Sequence, residues 1–338
     1  MERRLHHVLI TGVTGFLGGH LAARLRRDGV QVRGLGRDEA KGQALEESIG
    51  IEFVRTDLGE AAAVTRACEG IDTVFHAAAL SSPWGRPQEF VRANVEGTRK
   101  VLQAVGAAGT TRLVHVSTPS LYFRHHGGAG VREDAPLPEP VNSYVRTKRM
   151  AEDLVREAGR AGLETVILRP RALIGAGDSS ILPRLVRAMA AGRLPVIGDG
   201  RNLTDLTCVE NAADALVLAA SAPAERVSGH VYNITNGTPL ALWNLLRDLA
   251  TRLDLPVPER RLSRRAALML AGVLEAAGRL TGKEPLLTQY GVGVLSSTQT
   301  LDLTAARRDL GYVPAVPVSE GLTRFVRWWQ AGAAYPFF

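Results

Sequence analysis

The segment 7–28 constrains this chain more than any other. A short apolar run, HVLIT (7–11), leads straight into TGVTGFLGG (11–19), which opens an amphipathic stretch that stops at Gly29. Leu17, Leu21 and Leu25 recur at i, i+4 and i+8, so residues 18–28 read as a helix with one apolar face. Gly12, Gly15 and Gly18 fall in the turn between strand and helix. Glycines at this spacing are, by themselves, as often a tight turn as a binding site. Between a strand and a helix they gain a second meaning. Without Cβ atoms the backbone can approach a pyrophosphate, and the helix N-terminus turns its free N–H groups toward the negative charge.

The alternation continues down the chain. Apolar runs at 30–35, 51–54, 73–77, 112–117 and 165–168 are separated by longer helical stretches. That rhythm predicts an α/β chain with a Rossmann-type, doubly wound parallel sheet. After Pro170 the rhythm changes, and glycine and proline become frequent. The expected division is a dinucleotide-binding domain over 1–170, with return elements near 201–236, and a smaller mixed α/β substrate-binding lobe over 171–338. Short strands are predicted at 195–197 and 231–234. Helices are predicted at 182–191, 211–220 and 240–253, with a helical tail from Gly321 that ends near YPFF. Residues 263–282 are small and apolar and are led by arginines. They read as a core or lid helix, with a membrane-interface helix as the sharper alternative.

Composition narrows the function class. With 45% hydrophobic and 22% charged residues, disordered, collagen-like and disulfide-scaffold chains are excluded. No uninterrupted apolar run reaches the roughly 18 residues of a spanning helix. The basic start runs into a strand with no small-residue cleavage site, so no signal peptide is expected. Cys68 and Cys208 are the only cysteines and form no CxxC pair, which suggests a reduced, cytoplasmic protein without a metal site. The net charge of +7 raises the question of nucleic acid. The arginines are scattered, densest at Arg260, Arg261, Arg264 and Arg265, with no aromatic-interleaved repeat and no helix-turn-helix or zinc pattern. No nucleic-acid partner is expected. The cluster at 260–265 leaves a peripheral membrane or partner-enzyme contact open.

Several residues carry chemistry. Thr14, Phe16 and Leu17 share the turn with Gly12, Gly15 and Gly18 and are assigned to the same cofactor. The second strand ends Gly34-Leu35-Gly36-Arg37, with glycine where a ribose-binding acid would stand and arginine after it. An arginine there suits a 2′-phosphate, which favours NADP; the following Asp38 keeps NAD open. Asp57-Leu58 after the third strand reads either as an adenine contact or as a helix cap. Ala77 and Ala78 are small enough for a flat cofactor to lie on the backbone. Tyr144 and Lys148 are i and i+4 on a helix, which places a phenol beside an ammonium. An ammonium there is expected to lower the phenol pKa and make it a proton donor to a carbonyl or acceptor from an alcohol. Ser117-Thr118-Pro119-Ser120 lies upstream, where a hydroxyl can hold the substrate oxygen. Trp84 and Phe123, in loops after the fourth and fifth strands, read equally as cleft lining or as packing.

TGVTGFLGG, Asp57-Leu58, HAAA (76–79), STPS (117–120) and YVRTK (144–148), in this order, resemble the extended short-chain dehydrogenase/reductase superfamily. The resemblance covers nearly the whole chain, including RPRALIGAGD (169–178), the run 198–215, VYNITNG (231–237) and LGYVP (310–314). It implies a Ser/Thr–Tyr–Lys triad with Tyr144 as acid/base and Lys148 on the nicotinamide ribose, lowering the tyrosine pKa. Thr118 falls at the serine position, with Ser117 and Ser120 close enough to compete. It also implies that Asn94 supports the active site or cofactor, that Pro170 and Arg171 border the cofactor, and that the protein is a homodimer through the tyrosine helix and its neighbour.

Nucleotide-sugar members of this superfamily commonly carry an arginine before the aspartate where this chain has Thr204-Asp205. Losing that cation removes a phosphate contact. STPS, SSPWGRPQEF (81–90) and RPRALIGAGDSSILPRL instead resemble the 3β-hydroxysteroid dehydrogenase branch, and within it the 2-alkyl-3-oxoalkanoate reductases of bacterial olefin biosynthesis. That resemblance implies NADPH-dependent reduction of a hydrophobic β-keto acid, with Arg171 or Arg184 for its carboxylate and Trp84, Ser120 and Phe123 near the substrate. The alternatives are a sterol dehydrogenase, a nucleotide-sugar epimerase or dehydratase, and an NADP-binding sensor or scaffold.

Overall fold

A computed structural model describes residues 3–337. Seven strands form one wholly parallel sheet: β1 (His7–Thr11), β2 (Gln31–Gly36), β3 (Glu52–Arg55), β4 (Thr73–His76), β5 (Arg112–Val116), β6 (Glu164–Pro170) and β7 (Val231–Ile234). Their spatial order is β3-β2-β1-β4-β5-β6-β7. The order reverses between β1 and β4, and a crevice opens at such a switch point, beyond the carboxyl ends of the strands.

The central strands read as continuous apolar runs because both their faces are covered. Helices α1 (Phe16–Arg27), α2 (Glu39–Ile49), α3 (Ala61–Cys68), α4 (Gly97–Ala108) and α5 (Ser143–Arg160) supply part of that cover. On one face Leu17, Leu21 and Leu25 of α1 pack with Ile10, Phe75 and Val114. On the other, Val64 of α3, Val101 and Val105 of α4 and Val155 of α5 pack with Leu9, Val74 and Leu113.

Further helices follow: α6 (Leu182–Ala190), α7 (Val209–Ser221), α8 (Leu242–Arg252), α9 (Arg264–Thr281), α10 (Gln289–Ser296) and α11 (Val318–Gln330). Ala212, Leu216 and Ala219 of α7 join the α1 side of the large sheet. A separate core gathers Val186 of α6, Trp243 and Leu246 of α8, Ala267 and Ala271 of α9, Val292 of α10 and Phe325 of α11. It sits beside a four-stranded sheet of Leu240–Ala241, Leu203–Thr204, Gln299–Leu301 and Gly128–Val131. The last of these comes from the connection between β5 and α5, so this small sheet draws on both halves of the chain.

Candidate active site

The glycine turn is built for close backbone approach. Gly12 has φ +73°, and a Cβ there would lie 2.8 Å from the Ala78 Cα. A Cβ on Gly18 would run into the Gly12 carbonyl. The Gly12 and Val13 N–H groups donate to the Leu35 carbonyl at 2.8 and 3.1 Å, which ties the turn to β2. Helix α1 has no acidic residue in its first turn, so nothing there opposes an anion at its N-terminus. A cradle that added carbon atoms would fill, at a helix N-terminus, fits a dinucleotide pyrophosphate.

The ends of β2 and β3 explain two more positions. Gly36 is glycine because a Cβ would lie 2.7 Å from Thr14 Cγ2. Arg37 stands out with its side chain 78% exposed, 3.8 Å from Asp57. Asp38 is occupied as the cap of α2, accepting from the Lys41 N–H at 3.1 Å. Asp57 does not cap α3; it accepts from the Gly59 N–H at 2.7 Å. Leu58 packs toward Gly97 of α4.

Behind the turn runs a buried polar chain whose directions can be assigned. The Ala78 N–H donates to Thr11 Oγ1 at 3.2 Å, and Thr98 Oγ1 donates to the Asn94 carbonyl at 2.6 Å. His76 lies between the two hydroxyls, with Nδ1 2.7 Å from Thr11 Oγ1 and Nε2 2.9 Å from Thr98 Oγ1. Thr98 has spent its proton, so Nε2–H must donate to it and Nδ1 must accept from Thr11. Burial, with the nearby Lys148 charge, pushes the His76 pKa down to about 3, and the ring is neutral.

Asn94 is placed by one π turn (Val91–Glu96) in the helix leading into α4. Its Oδ1 accepts from the Leu80 N–H at 2.7 Å, and its Nδ2 donates to the Leu80 carbonyl at 3.2 Å and to Thr147 Oγ1 at 3.1 Å. The amide therefore joins the loop after β4 to the tyrosine helix.

Thr118, Ser120, Tyr144 and Lys148 converge at the carboxyl end of β5. Asn142 caps α5 by accepting from the Val145 N–H at 2.9 Å, which fixes where the helix carrying Tyr144 begins. Thr118 Oγ1 donates to Ser120 Oγ at 3.0 Å, and Ser120 Oγ lies 2.8 Å from the Tyr290 hydroxyl. Ser117 Oγ is buried with no hydrogen-bond partner among the described residues. The expectation that Lys148 lowers the Tyr144 pKa needs correction. Burial raises it, and the opposing pulls come from hydrogen bonds with the Thr118 and Ser81 hydroxyls. The Lys148 ammonium is instead held by the Val116 carbonyl at 2.6 Å, 3.5 Å from His115 Nε2. Burial brings its own pKa down to about 8, against the upward pull of Glu152.

Other expected residues are spread around this centre. Trp84 lines a cavity of about 460 Å³ with Phe90, Val141, Ser143 and Tyr290. Phe123 is buried, its ring 4.8 Å from that of Tyr290. Pro170 ends β6, and Phe16 opens α1 with its ring edge-on to His20. Arg171 is buried and donates to Gln299 Oε1 at 2.9 Å and Thr204 Oγ1 at 3.4 Å. Its Nε has no partner among the described residues. A guanidinium thus reaches the place beside Thr204, which weakens the argument from the missing arginine there. Arg184 is not brought into this group; it is half-exposed in an ion pair with Glu284 at 3.0 Å. Sequence reasoning missed Tyr290, Ser81 and the relay through His76. The first lies 170 residues from its partner Ser120, and nothing in its local pattern marks it.

A phenol, two hydroxyls and a lysine beside a phosphate cradle can exchange a proton with an oxygen on a carbon undergoing hydride transfer. Comparisons with known proteins agree. Residues 8–235 match the NAD dependent epimerase/dehydratase family. The chain is 38% identical over 325 residues to the 2-alkyl-3-oxoalkanoate reductase of Stenotrophomonas maltophilia (strain K279a), covering 94% of this chain and 97% of that one. It is 36% identical over 290 residues to 3beta-hydroxysteroid-dehydrogenase/decarboxylase isoform 1 of Arabidopsis thaliana, covering 82% of this chain and 66% of that one. A crystal structure of the UDP-glucuronic acid 4-epimerase of Bacillus cereus with NAD shares the fold at 24% identity and a TM-score of 0.76, over 97% of this chain and 99% of the other. With glycine cradle, tyrosine helix and sequence all in agreement, the chain belongs to the NAD dependent epimerase/dehydratase family and is an NAD(P)-dependent oxidoreductase.

Proposed function

We propose that this protein uses NADPH to reduce the ketone of a hydrophobic β-keto acid, a 2-alkyl-3-oxoalkanoate, to the hydroxy acid. The observation that carries the reading is the line Tyr144–Thr118–Ser120–Tyr290 beside a cavity walled by Trp84, Phe90 and Val141. Hydroxyls are grouped where an oxygen must be held, and the cavity wall is mixed: Trp84, Phe90 and Val141 give alkyl chains an apolar side, while His125, Asn142, Glu275 and Arg279 line the rest. A 38% identical relative named for this activity supports it.

Gly12, Thr14, Gly15, Phe16, Leu17 and Gly18 hold the cofactor pyrophosphate, Asp57, Leu58, Ala77 and Ala78 border the adenosine half, and Arg37 takes the 2′-phosphate. The nicotinamide supplies the hydride when bound. Tyr144 gives its proton to the ketone oxygen, and the Thr118 hydroxyl, turned away from Ser120, donates to that same oxygen. Lys148, fixed by the Val116 carbonyl, presents its remaining N–H donors to the ribose. Asn94 acts as a positioning residue, since its amide is engaged by Leu80 and Thr147. Asp38 is committed to its helix cap, which favours NADP over NAD. Arg171, with an unpaired Nε, suits the substrate carboxylate better than the ion-paired Arg184. A homodimer paired through α4 and α5 belongs to this reading, with the exposed Met150 of α5 as a side chain such pairing would cover.

One observation favours a second reading. The Arg171 guanidinium beside Thr204 offers a cation to a diphosphate as well as to a carboxylate, so a nucleotide-sugar substrate is the rival. Oxidation of NADPH and NADH is measured with long-chain 2-alkyl-3-oxo acids, keto-steroids and simple aldehydes, alongside calorimetry with UDP-sugars. NADPH-dependent turnover of the β-keto acids is expected. Tight UDP-sugar binding with no ketone reduction would replace this reading with the rival.

A further inference from the structure

Helix α9 carries its large apolar side chains outward. Met269, Leu270, Val273 and Leu280 are 69, 47, 67 and 89% exposed. Ala267, Ala271 and Gly278 are the buried residues that face the lobe. At about 100° per residue the four exposed side chains, together with exposed Ala276 and Ala277, occupy a single arc roughly 120° wide. The buried residues lie on the opposite side. The outer stripe has the width of an ordinary core-facing stripe, but it points away from the core.

Both ends of the stripe are basic. Arg260, Arg261 and Arg265 stand exposed at its start, and Arg279 and Lys283 at its end. Arg260, Arg261, Arg265 and Lys283 form no ion pair among the described residues, whereas Arg279 reaches Glu275 at 3.8 Å. Two of the nearby acids are turned elsewhere. Glu275 faces inward and accepts from the Gln289 N–H at 2.8 Å, and Glu284 holds Arg184. Glu259 is the one exposed acid beside the arginine cluster. The Arg264 guanidinium donates to the His125 carbonyl, which anchors the helix start to the catalytic side of the molecule.

We propose that α9 is an interfacial helix that seats the protein on an anionic membrane surface, with its apolar stripe among the acyl chains and its basic ends on lipid phosphates. No helix among the described residues is long and apolar enough to cross a membrane, so the helix lies in the interface rather than through it. Charge decides between a bilayer and a second copy of the chain. Because both ends of the stripe are cationic, pairing two such helices in either direction sets cation against cation. An anionic lipid surface is the complementary occupant.

The inner edge of the same helix borders the cavity. Glu275 and Arg279 line it with Trp84 and Tyr290, and a Cβ on Gly278 would lie 3.0 Å from the Trp84 ring. A lipid-soluble ketone leaving the bilayer beside α9 would meet this cavity, whose wall includes Tyr290, the hydrogen-bond partner of Ser120. That last step rests on the proposed substrate class; the docking itself does not.

The test is co-sedimentation with sucrose-loaded vesicles of phosphatidylcholine alone or with phosphatidylglycerol added. The full chain is expected to partition about tenfold more strongly to the anionic vesicles, and high salt should weaken this. M269Q/V273Q/L280Q and R260E/R261E/R265E should each lower that partition about tenfold. Both variants should keep the parental melting temperature and NADPH affinity, since they alter only exposed side chains. The proposal is overturned if the parent ignores anionic vesicles or if the glutamine variant binds them equally well. It is equally overturned if light scattering finds a dimer that the glutamine variant alone converts to monomer, because a second copy would then cover the stripe. Failure to reduce β-keto acids leaves the vesicle result standing, so the two readings fail separately.

Discussion

The two ends of the crevice are made of different material. Around β1 the site is backbone: three glycines within seven residues, held by the Leu35 carbonyl and pressed against Ala78. Around α5 it is side chain: Ser81, Thr118, Ser120, Tyr144, Lys148 and Tyr290, drawn from both halves of the chain. A region built from backbone is broken by adding atoms. One built from side chains is broken by removing them, and its fold survives. Substitutions at the two ends should therefore leave different signatures.

The largest effect is expected at the glycine end. Gly18→Ala drives a methyl group into the Gly12 carbonyl. It should abolish measurable NADPH binding in a fluorescence titration and cost about 3 kcal/mol in urea unfolding. Unchanged affinity would mean that the turn yields and that the contrast drawn above is false. Tyr144→Phe should do the reverse, lowering turnover about a thousandfold with NADPH affinity kept within about twofold. Near-normal turnover would remove the phenol from the chemistry.

The third effect is on stability. Burial holds His76 near 3 and His115 well below its ordinary value, so both are neutral in the folded protein and protonate in the unfolded chain. The unfolded state binds more protons below the ordinary histidine value. Stability is then full above about 6.5 and falls as the pH drops below it, by about 1.4 kcal/mol per pH unit for each neutral ring, in the case of His76 down to about 3. Lys148, lowered to about 8, acts in the alkaline range and adds stability as pH rises from 8 toward its ordinary value of 10.5. Urea unfolding at pH 7.5 and 5.0 checks the acid limb, and a flat result would contradict two neutral buried rings.

Smaller effects sharpen the comparison. Arg37→Ala should raise the KM for NADPH about tenfold and leave that for NADH unchanged, in line with the loss of one exposed charge-assisted contact. Tyr290→Phe should lower kcat/KM only about threefold, since one neutral hydrogen bond to Ser120 is lost. If it instead matched Tyr144→Phe, the carboxyl-terminal lobe would have to be counted as part of the catalytic machinery.

Legibility followed the same division. The glycine turn, the parallel strands and the Tyr-x-x-x-Lys helix are local patterns in which spacing along the chain equals spacing in the fold. Strand Gly128–Val131 was invisible because its partner Gln299–Leu301 is remote and two of its four residues are glycine. The expected pairing of Lys148 with Tyr144 fails for a related reason. A spacing of i, i+4 brings two side chains to one helix face, but the Val116 carbonyl on β5 decides where the ammonium goes. His76 stood in plain view within HAAA, yet its role depends on hydroxyls at 11 and 98 that only the packed sheet brings to its two nitrogens.

The π turn at Val91–Glu96 makes the chain intolerant of changes in length here. Removing one residue would let the helix close with ordinary hydrogen bonds, but everything after it would rotate by about 100°. Thr98 would leave His76, and Val101 and Val105 would leave the core. Deletions that surface loops absorb freely would, within these six residues, uncouple the sheet from the tyrosine helix.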